Sequence, residues 1–539
     1  MASYTRYGKF LMTSAACLTL AGCGGADDVA SPGAGSVTIV NPAPTPTPAP
    51  TGTPAPSAIT AAQFAAPTTV SGVTISADEQ FALANAGTNN NVNGVGSMLN
   101  GIYPTTATSL TTAANPATID NFFQSTNFVG AVNGPTDTSF QGWTCNSTTA
   151  QFGGSGQACT SVPNIGTGGA SATCPTGTTD DGLVQTFRIC RLPLSITGTL
   201  SLPRVQGVVY RFRGQTEVGV QDGATGTLNI AAGVTLAADA SESSNDLILV
   251  NRGSRINAVG TVTDPIIITA QQNLTTNGVS DSSQGFWGGV ILLGRAPTGV
   301  CSGTVTNNAA GSNADCTNQI EGVTGRTYGG TDYADNSGTM QYVQIRYSGI
   351  AISEGNELQG LTLGGTGSGT TIDHVQSHNS ADDGIEIFGG ATNIRYFVVT
   401  GADDDGYDID VGYRGFMQFI IAAQRINGAT ADSFSTEIDS NGNEDLLPRT
   451  FARYANFTFI QTANTAPAGA LRLRGGADGQ FVNGVIKSVV PCLNLIASNQ
   501  VNGAAATGND RSTIRPANAA LQDVGPPTFN SIYFACNGR

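Results

Sequence analysis

The chain has 539 residues, 70 of them glycine, with only 11% charged residues and a formal charge of −15. Such a balance offers no basic stripe to displace counterions from phosphates, which excludes nucleic acid as a partner, and it argues against electrostatic adhesion to anionic lipid headgroups. Runs of Thr, Ser, Asn and Ala between the glycines suit short strands and tight turns and suit helices poorly. A 40% hydrophobic content is enough for a core, and a cation is the partner that an acidic surface favours.

In chain order, Arg6 and Lys9 precede a short apolar run from Phe10 to Leu20, followed by Leu20-Ala21-Gly22-Cys23. The run is too short to remain as a membrane-spanning helix. The segment resembles a lipoprotein signal, which implies removal of residues 1–22 and acylation of Cys23. Gly24 stands where retention at the inner membrane would want Asp, so the resemblance implies an outer-membrane, cell-surface or extracellular destination, with the membrane as a partner through the lipid. Residues 23–57 read as a linker: Asn41 to Ser57 spells NPAPTPTPAPTGTPAPS, and alternating prolines favour an extended polyproline II stalk with no core.

Residues 58–192 have an irregular pattern, with a short helix expected around Thr118 to Gln124 and four cysteines, and read as an N-terminal cap or small disulfide-tied subdomain. A cap is needed because the open end of a solenoid exposes strand edges and core. Besides Cys17 and Cys23 there are eight cysteines, and an even set in an exported chain implies disulfides. Cys301 and Cys316 bracket a polar Asn-, Ser- and Gly-rich excursion and are expected to pair. Cys492 with Cys536 would tie down the C-terminal tail. Cys145, Cys159, Cys174 and Cys190 can pair in three ways that the sequence does not separate. Zinc is disfavoured, since no Cys-x-x-Cys occurs and the two histidines are remote from the cysteines in sequence.

From 193 to 490 short strands recur, among them Leu247-Ile-Leu-Val250, Gly289-Val-Ile-Leu-Leu293 and Tyr342-Val-Gln-Ile-Arg346, each bounded by Gly, Asn, Asp or Ser. With no helical pattern between them, a doubly wound α/β fold is excluded. Asp382-Asp383-Gly384-Ile385-Glu386-Ile387-Phe388 is echoed 22 residues later by Asp404-Asp405-Gly406-Tyr407-Asp408-Ile409-Asp410. Looser copies follow at Glu437-Ile438-Asp439 and Arg472-Leu473-Arg474, and one precedes at Leu361-Thr362-Leu363. A period near 22 with several strands per repeat is one coil of a parallel β-helix; a propeller blade needs about twice that length. Residues 491–539 complete the chain as a C-terminal cap or tail.

The phrases Asn251-Arg-Gly-Ser-Arg-Ile-Asn, Gly285-Phe-Trp-Gly-Gly289, Ile320-Glu-Gly322, Tyr328-Gly-Gly-Thr-Asp332 and Asn356-Glu-Leu-Gln-Gly360 run in order into the Asp-Asp-Gly repeats and Tyr413-Arg-Gly415. Over about half the chain this resembles a family of bacterial surface and secreted β-helix proteins, often lipoproteins, of the pectate-lyase-like superfamily. The resemblance implies an all-β, right-handed parallel β-helix and implies no reaction.

Alternation along the strands points Ile385 and Ile387 inward and Glu386 and Phe388 outward. The same register stacks Thr362, Glu386, Asp408, Glu437 and Arg472 in one outward line, with Phe388, Asp410, Asp439 and Arg474 in a second. Carboxylates about 4.8 Å apart on adjacent coils repel by roughly 1–3 kcal/mol and call for compensation. Three readings compete. The acids form a solvated face, with Asp-Gly chosen for turn geometry. Or Asp382, Asp383, Asp404, Asp405, Asp408 and Asp410 hold Ca2+. Or the face is a glycan-active groove in which Glu386, Asp408, Glu437 and Arg472 are the catalytic candidates of a polysaccharide lyase or glycoside hydrolase acting on an acidic glycan. His374 and His378 fall on the same nominal strand face, and Trp143 and Trp287 could stack on a sugar. The favoured reading is an envelope lipoprotein that binds or supports, stabilised by calcium, with a glycan as its ligand.

Overall fold

The computed structural model describes residues 113–536 apart from 135, 154–155, 164, 240–244, 303–312, 354–355, 441–445, 496–499, 502–503, 506–512 and 514–516, and in addition the strands at 68–70 and 73–75. The signal, the Cys23 lipidation site and the 23–57 linker lie outside the described residues.

The chain winds as a parallel β-helix. One wall is a ten-stranded, wholly parallel sheet from Ser195–Ile196 to Leu493–Leu495. A sixteen-stranded sheet forms the rest of the coils, parallel except for the pairing of Thr179–Val184 with Phe187–Arg191 at its first edge, and short two-stranded pairs lie outside both. Inward positions of both walls interlock in one core: Ile248, Leu292, Leu363, Ile387, Ile409 and Leu473 from the first meet residues such as Ile345, Val375, Phe397 and Phe457 from the second. The 22-residue echo is one coil, since Ile385 pairs with Tyr407 and Phe388 with Asp410.

Each longer strand of the second wall is bent by one residue in the left-handed region. Tyr342, His374, Tyr396, Phe419, Asn456 and Asn483 all have φ between +49° and +58°. The ladder skips them, as when Gln341 pairs with Asp373 and Val343 with Val375. This conformation costs a non-glycine residue about 1–2 kcal/mol, and stacking offsets it. The rings of Tyr342, His374, Tyr396 and Phe419 follow one another at centroid distances of 4.4, 4.3 and 4.7 Å.

The N-terminal segment is irregular and disulfide-tied, as expected; residues 113–165 of it also run along the helix side. Residues 113–130 double back over the last coils, and residues 131–165 then run toward the first ones. Buried amides of the coils hold this strap by pairing with both backbone groups of one strap residue, as a strand would. Asn483 does so with Ala114 (2.9 and 2.8 Å), Gln418 with Gln124 (2.7 and 2.9 Å), and Gln376 with Cys145 (2.7 and 3.1 Å). Arg346, fully buried, donates to Cys159 O and Ser161 O at 2.8 and 2.7 Å. Phe140 and Trp143 fill the corner beside Tyr396 and Phe419. Only the part near Cys174, bonded to Cys190, packs on the first coil's core. The expected helix at Thr118 to Gln124 is replaced by one 3-10 turn, Pro116–Thr118.

Cys145 pairs with Cys159, so the open choice among the four N-terminal cysteines resolves into neighbours in sequence, and Cys301 pairs with Cys316. Cys492 is disulfide-bonded as well, while the side chain of Cys536 lies outside those described. The segment after residue 490 is more than a tail: Leu493–Leu495, Thr528–Asn530 and Tyr533–Cys536 extend both sheets in parallel.

Replacing Gln376 by Leu leaves both backbone groups of Cys145 without partners and is expected to cost about 1–3 kcal/mol. Trp143→Ala, emptying a fully buried site, is expected to cost about 3–5 kcal/mol. Chemical denaturation followed by circular dichroism measures both, and an unchanged midpoint for either would show that the strap contributes no stability there.

Candidate metal centre

The outer face of the ten-stranded wall changes character along the helix. Leu249 and Ile291 precede Thr362 in the line that continues through Glu386, Asp408, Glu437 and Arg472, all in direct register. The apolar part is covered by the segments that flank the Cys301–Cys316 disulfide, whose Val300, Ile320, Val323 and Tyr328 pack on Leu247, Leu249, Ile291 and Leu293. Phe388, expected outward, joins that cluster.

The acids form no solvated face. Glu386 is 3% exposed, and Asp383, Asp405, Asp408 and Glu437 are buried with it. They surround a cavity of about 230 Å³. Its floor is Glu386, Asp408 and Glu437 on three successive strands, and one side is the turn pairs Asp382-Asp383 and Asp404-Asp405. Asp410, expected among the metal ligands, does not line it, and neither does Arg472; Arg474 is the lining cation among the described residues. Three further acids complete the wall: Asp432, which precedes Glu437 in its repeat copy, and two that sequence patterning did not single out, Glu321 and Glu357. The last two lie within the phrases Ile320-Glu-Gly322 and Asn356-Glu, so their positions carried a signal even though their role did not. Glu321 accepts from the Glu357 N–H at 2.9 Å, which joins the covering excursion to the hairpin Ile350–Ser353/Asn356–Leu358.

The turn acids do two jobs. Asp383 accepts the N–H of Asp405 one coil on (2.8 Å), and Asp405 accepts that of Phe434 in the next. The glycine after each pair does not take a positive φ, contrary to a pure turn explanation. A Cβ on Gly384 would lie 2.2 Å from a methyl of Val399, and one on Gly406 would lie 2.5 Å from Ser435 O. Close approach of coils, not turn geometry, requires glycine there.

Oxygens of Asp382, Asp383 and Asp404 lie within 4.8 Å of one another, as do those of Asp383, Glu386 and Asp408. The two triads share Asp383. Burial first, then the neighbouring carboxylates, holds the proton on these groups: Asp382, Asp383, Glu386, Asp405 and Asp408 are pushed well above the usual carboxylate range. Asp404 is raised to about 7 and Glu321 to about 8, again chiefly by burial. Glu437 is raised by burial and lowered by Arg474 and Arg472, with net elevation. Its carboxylate meets Arg474 Nε at 2.6 Å and Arg472 Nη1 at 3.1 Å. Arg472 also pairs with Asp432 and Arg474 with Asp439, so both arginines are committed to neutralising the far end of the ladder. Glu386 Oε2 is buried without a hydrogen-bond partner.

The remaining sequence candidates lie elsewhere. The left-handed bend at His374 interrupts the alternation that would have put it on one face with His378. His374 stacks in the corner ladder, whereas His378 bonds Thr400 Oγ1 at 2.8 Å, and burial followed by Arg346 and Arg425 holds it neutral, with its pKa lowered to about 3. Trp143 of the strap is buried against the corner of the coils and Trp287 in the core, donating to Ser139 O and Arg346 O, so neither ring is free for a sugar.

Two long parallel walls with an acid-lined cavity on the outer face define a parallel β-helix protein. The pectate-lyase-like β-helix domain matches residues 199–527, and the chain belongs to that family. Comparison with curated proteins returns no match, and comparison with solved structures returns none.

Folding binds protons at the raised carboxyls, so in cation-free protein their contribution is fully favourable below the ordinary carboxylate range and is lost as pH rises through the elevated values. With chelator present, melting temperature is expected to fall between about pH 5 and about pH 8, the upper end set by Asp404 near 7 and Glu321 near 8. Asp404→Asn should flatten that slope. A melt that rises across this window would contradict the protonated cavity.

Proposed function

We propose that the chain is an exported envelope module that takes up divalent cations of the calcium type in its acidic cavity and binds polysaccharide. The observation that carries this reading is Glu386: a carboxylate 3% exposed, with one oxygen unpartnered, lining a cavity with nine other carboxyl groups and one arginine. Buried like charges at coil spacing need either protons or a counter-ion. The lining offers oxygen donors and neither His nor Cys, the donor set of a hard cation, and flexible carboxylates in excess suit calcium. Two triads sharing Asp383 fit two ions bridged by that side chain. Bound cations would turn the ladder from a source of repulsion into a clamp across coils. The disulfides support an oxidising compartment, and Cys23 with the proline-rich 23–57 linker supports lipid anchoring at the outer membrane or cell surface.

A second reading is an enzyme acting on an acidic polysaccharide, favoured by the family and by a proton-holding Glu386 directly opposite Asp408 on the next strand. In it Glu386 is the acid, and Asp408, whose carboxyl is raised as well, acts as the base only once it has given up its proton. Arg472, held by Asp432 and Glu437, is a poor base.

Calcium at a hundredfold excess over its Kd is expected to add about 2.7 kcal/mol of stability at neutral pH. Asp383→Asn should remove most of this gain, and Glu386→Gln should reduce it. Melts that coincide with calcium and with chelator would sink the cation reading. If the enzyme reading holds, incubation with uronate-containing polysaccharides releases new chain ends, and Glu386→Gln or Asp408→Asn abolishes release without lowering the melting temperature.

A further inference from the structure

The acids of the cavity differ in depth. Asp383, Glu386 and Asp408 are buried, whereas Asp382, Asp404, Glu321 and Glu357 are half-buried and form its mouth. The last two lie in no wall strand. Glu321 sits in the turn of the hairpin Asn318–Gln319/Thr327–Tyr328, and Glu357 in the strand Asn356–Leu358 of a second hairpin. The hairpins join where they reach the cavity: the Glu357 N–H donates to Glu321, and the Gly322 N–H to Asn356 Oδ1 at 3.0 Å.

This cover is held differently at its two ends. Away from the cavity opposite charges and polar groups meet: Arg326 donates to Glu217 of the ten-stranded wall at 2.9 Å, and Gln221 to Thr327 Oγ1 at 2.9 Å. Between the ends Ile320, Val323 and Leu358 pack on the apolar wall. At the cavity carboxyl meets carboxyl. The proton affinity of Asp382 is raised by burial, then by Asp404, Glu357 and Glu321, so the coil acid and both cover acids act on one another. Such a contact is unfavourable unless protons or a cation intervene. Deeper in the same cavity Glu386 Oε2 is buried without a hydrogen-bond partner, an independent sign that the cavity takes an ion.

We propose that one cation is shared between coils and cover, held by Asp382, Asp383 and Asp404 from the coils and by Glu321 and Glu357 from the cover, so that it fastens the cover down. This bridge presupposes the cation reading and adds to it two ligands that the coils do not supply. Calcium takes about six to eight oxygens. The three coil carboxylates, whose oxygens lie within 4.8 Å of one another, leave part of that shell to be filled. The cover acids are the other half-buried carboxyls among the lining residues. Binding at this site is therefore read out in the cover, while the triad of Asp383, Glu386 and Asp408 lies wholly within the coils.

The test pairs two measurements on the full chain. Calorimetric titration with calcium chloride reports whether the cation binds. Hydrogen exchange read by mass spectrometry, with calcium and with chelator, reports on the cover. Calcium is expected to slow exchange at residues 318–328 and 356–358 about tenfold more than in the core strand Phe451–Gln461. Glu321→Gln and Glu357→Gln each keep an acceptor or donor for the link between the hairpins. Each should weaken the looser calcium site about tenfold or more and abolish the selective slowing. Calcium that binds without slowing the cover selectively, or that binds both variants as tightly as the parent chain, overturns the bridge and leaves the cation reading standing. Absence of calcium binding by the parent chain overturns both. Should both variants fail to fold, exchange in the parent chain alone decides.

Discussion

Hydrogen bonding of each coil to the next, in register and at the strand spacing of about 4.8 Å, is the constraint from which the other features follow. It turns any side chain repeated at one position of the coil into a column. Apolar columns make the core and the covered part of the outer wall. Aromatic side chains at the bent corner make the stack from Tyr342 to Phe419. Repeated acids make the column Glu386, Asp408, Glu437, whose electrostatic cost no single coil would incur. Like charges come together here because of the repeat, and whatever relieves them must act across coils.

The molecule shows two forms of such relief at different points of one column. At Glu437 the next strands supply Arg472 and Arg474, and the ion pairs close the ladder. At Asp383, Glu386 and Asp408 the described residues form no ion pair with an arginine, and protons or a cation are required. The excursion through Glu321 and the hairpin through Glu357 bring further acids to the site while burying it, a local arrangement that lowers stability in the absence of a counter-ion and is intelligible as a binding site.

The coil and the acidic column were legible in the sequence because both depend on local regularities: the 22-residue echo and the alternation of Ile with Glu or Asp. Burial of the column was not legible, because its cavity is walled in part by Glu321 and Glu357, which lie outside the repeat. The lateral course of the strap was not legible for a similar reason. Its partners are single amides as far as 369 residues away, Asn483 for Ala114, and an isolated Asn or Gln in a strand has no pattern that distinguishes a ladder from a surface residue. The corner stack was hidden too, since Tyr, His and Phe are not residues from which a left-handed bend is inferred. The disulfides lay between these cases. Sequence indicated that the cysteines pair, and only the course of the strap joins Cys145 to Cys159 and leaves Cys174 for Cys190.

The course of the strap also sets the mechanical polarity of the molecule. Its first described residues, at Ala114, rest on the coil of Asn483, and the hairpin Thr68–Val70/Val73–Ile75 lies against the final strand Tyr533–Cys536. The strap therefore meets the solenoid first at its last coils and runs from there toward the first ones. A pull on the leader does not peel the helix from its first coil. It loads the strap lengthwise, and the amide pairs at Asn483, Gln418 and Gln376 resist together in shear before any coil opens.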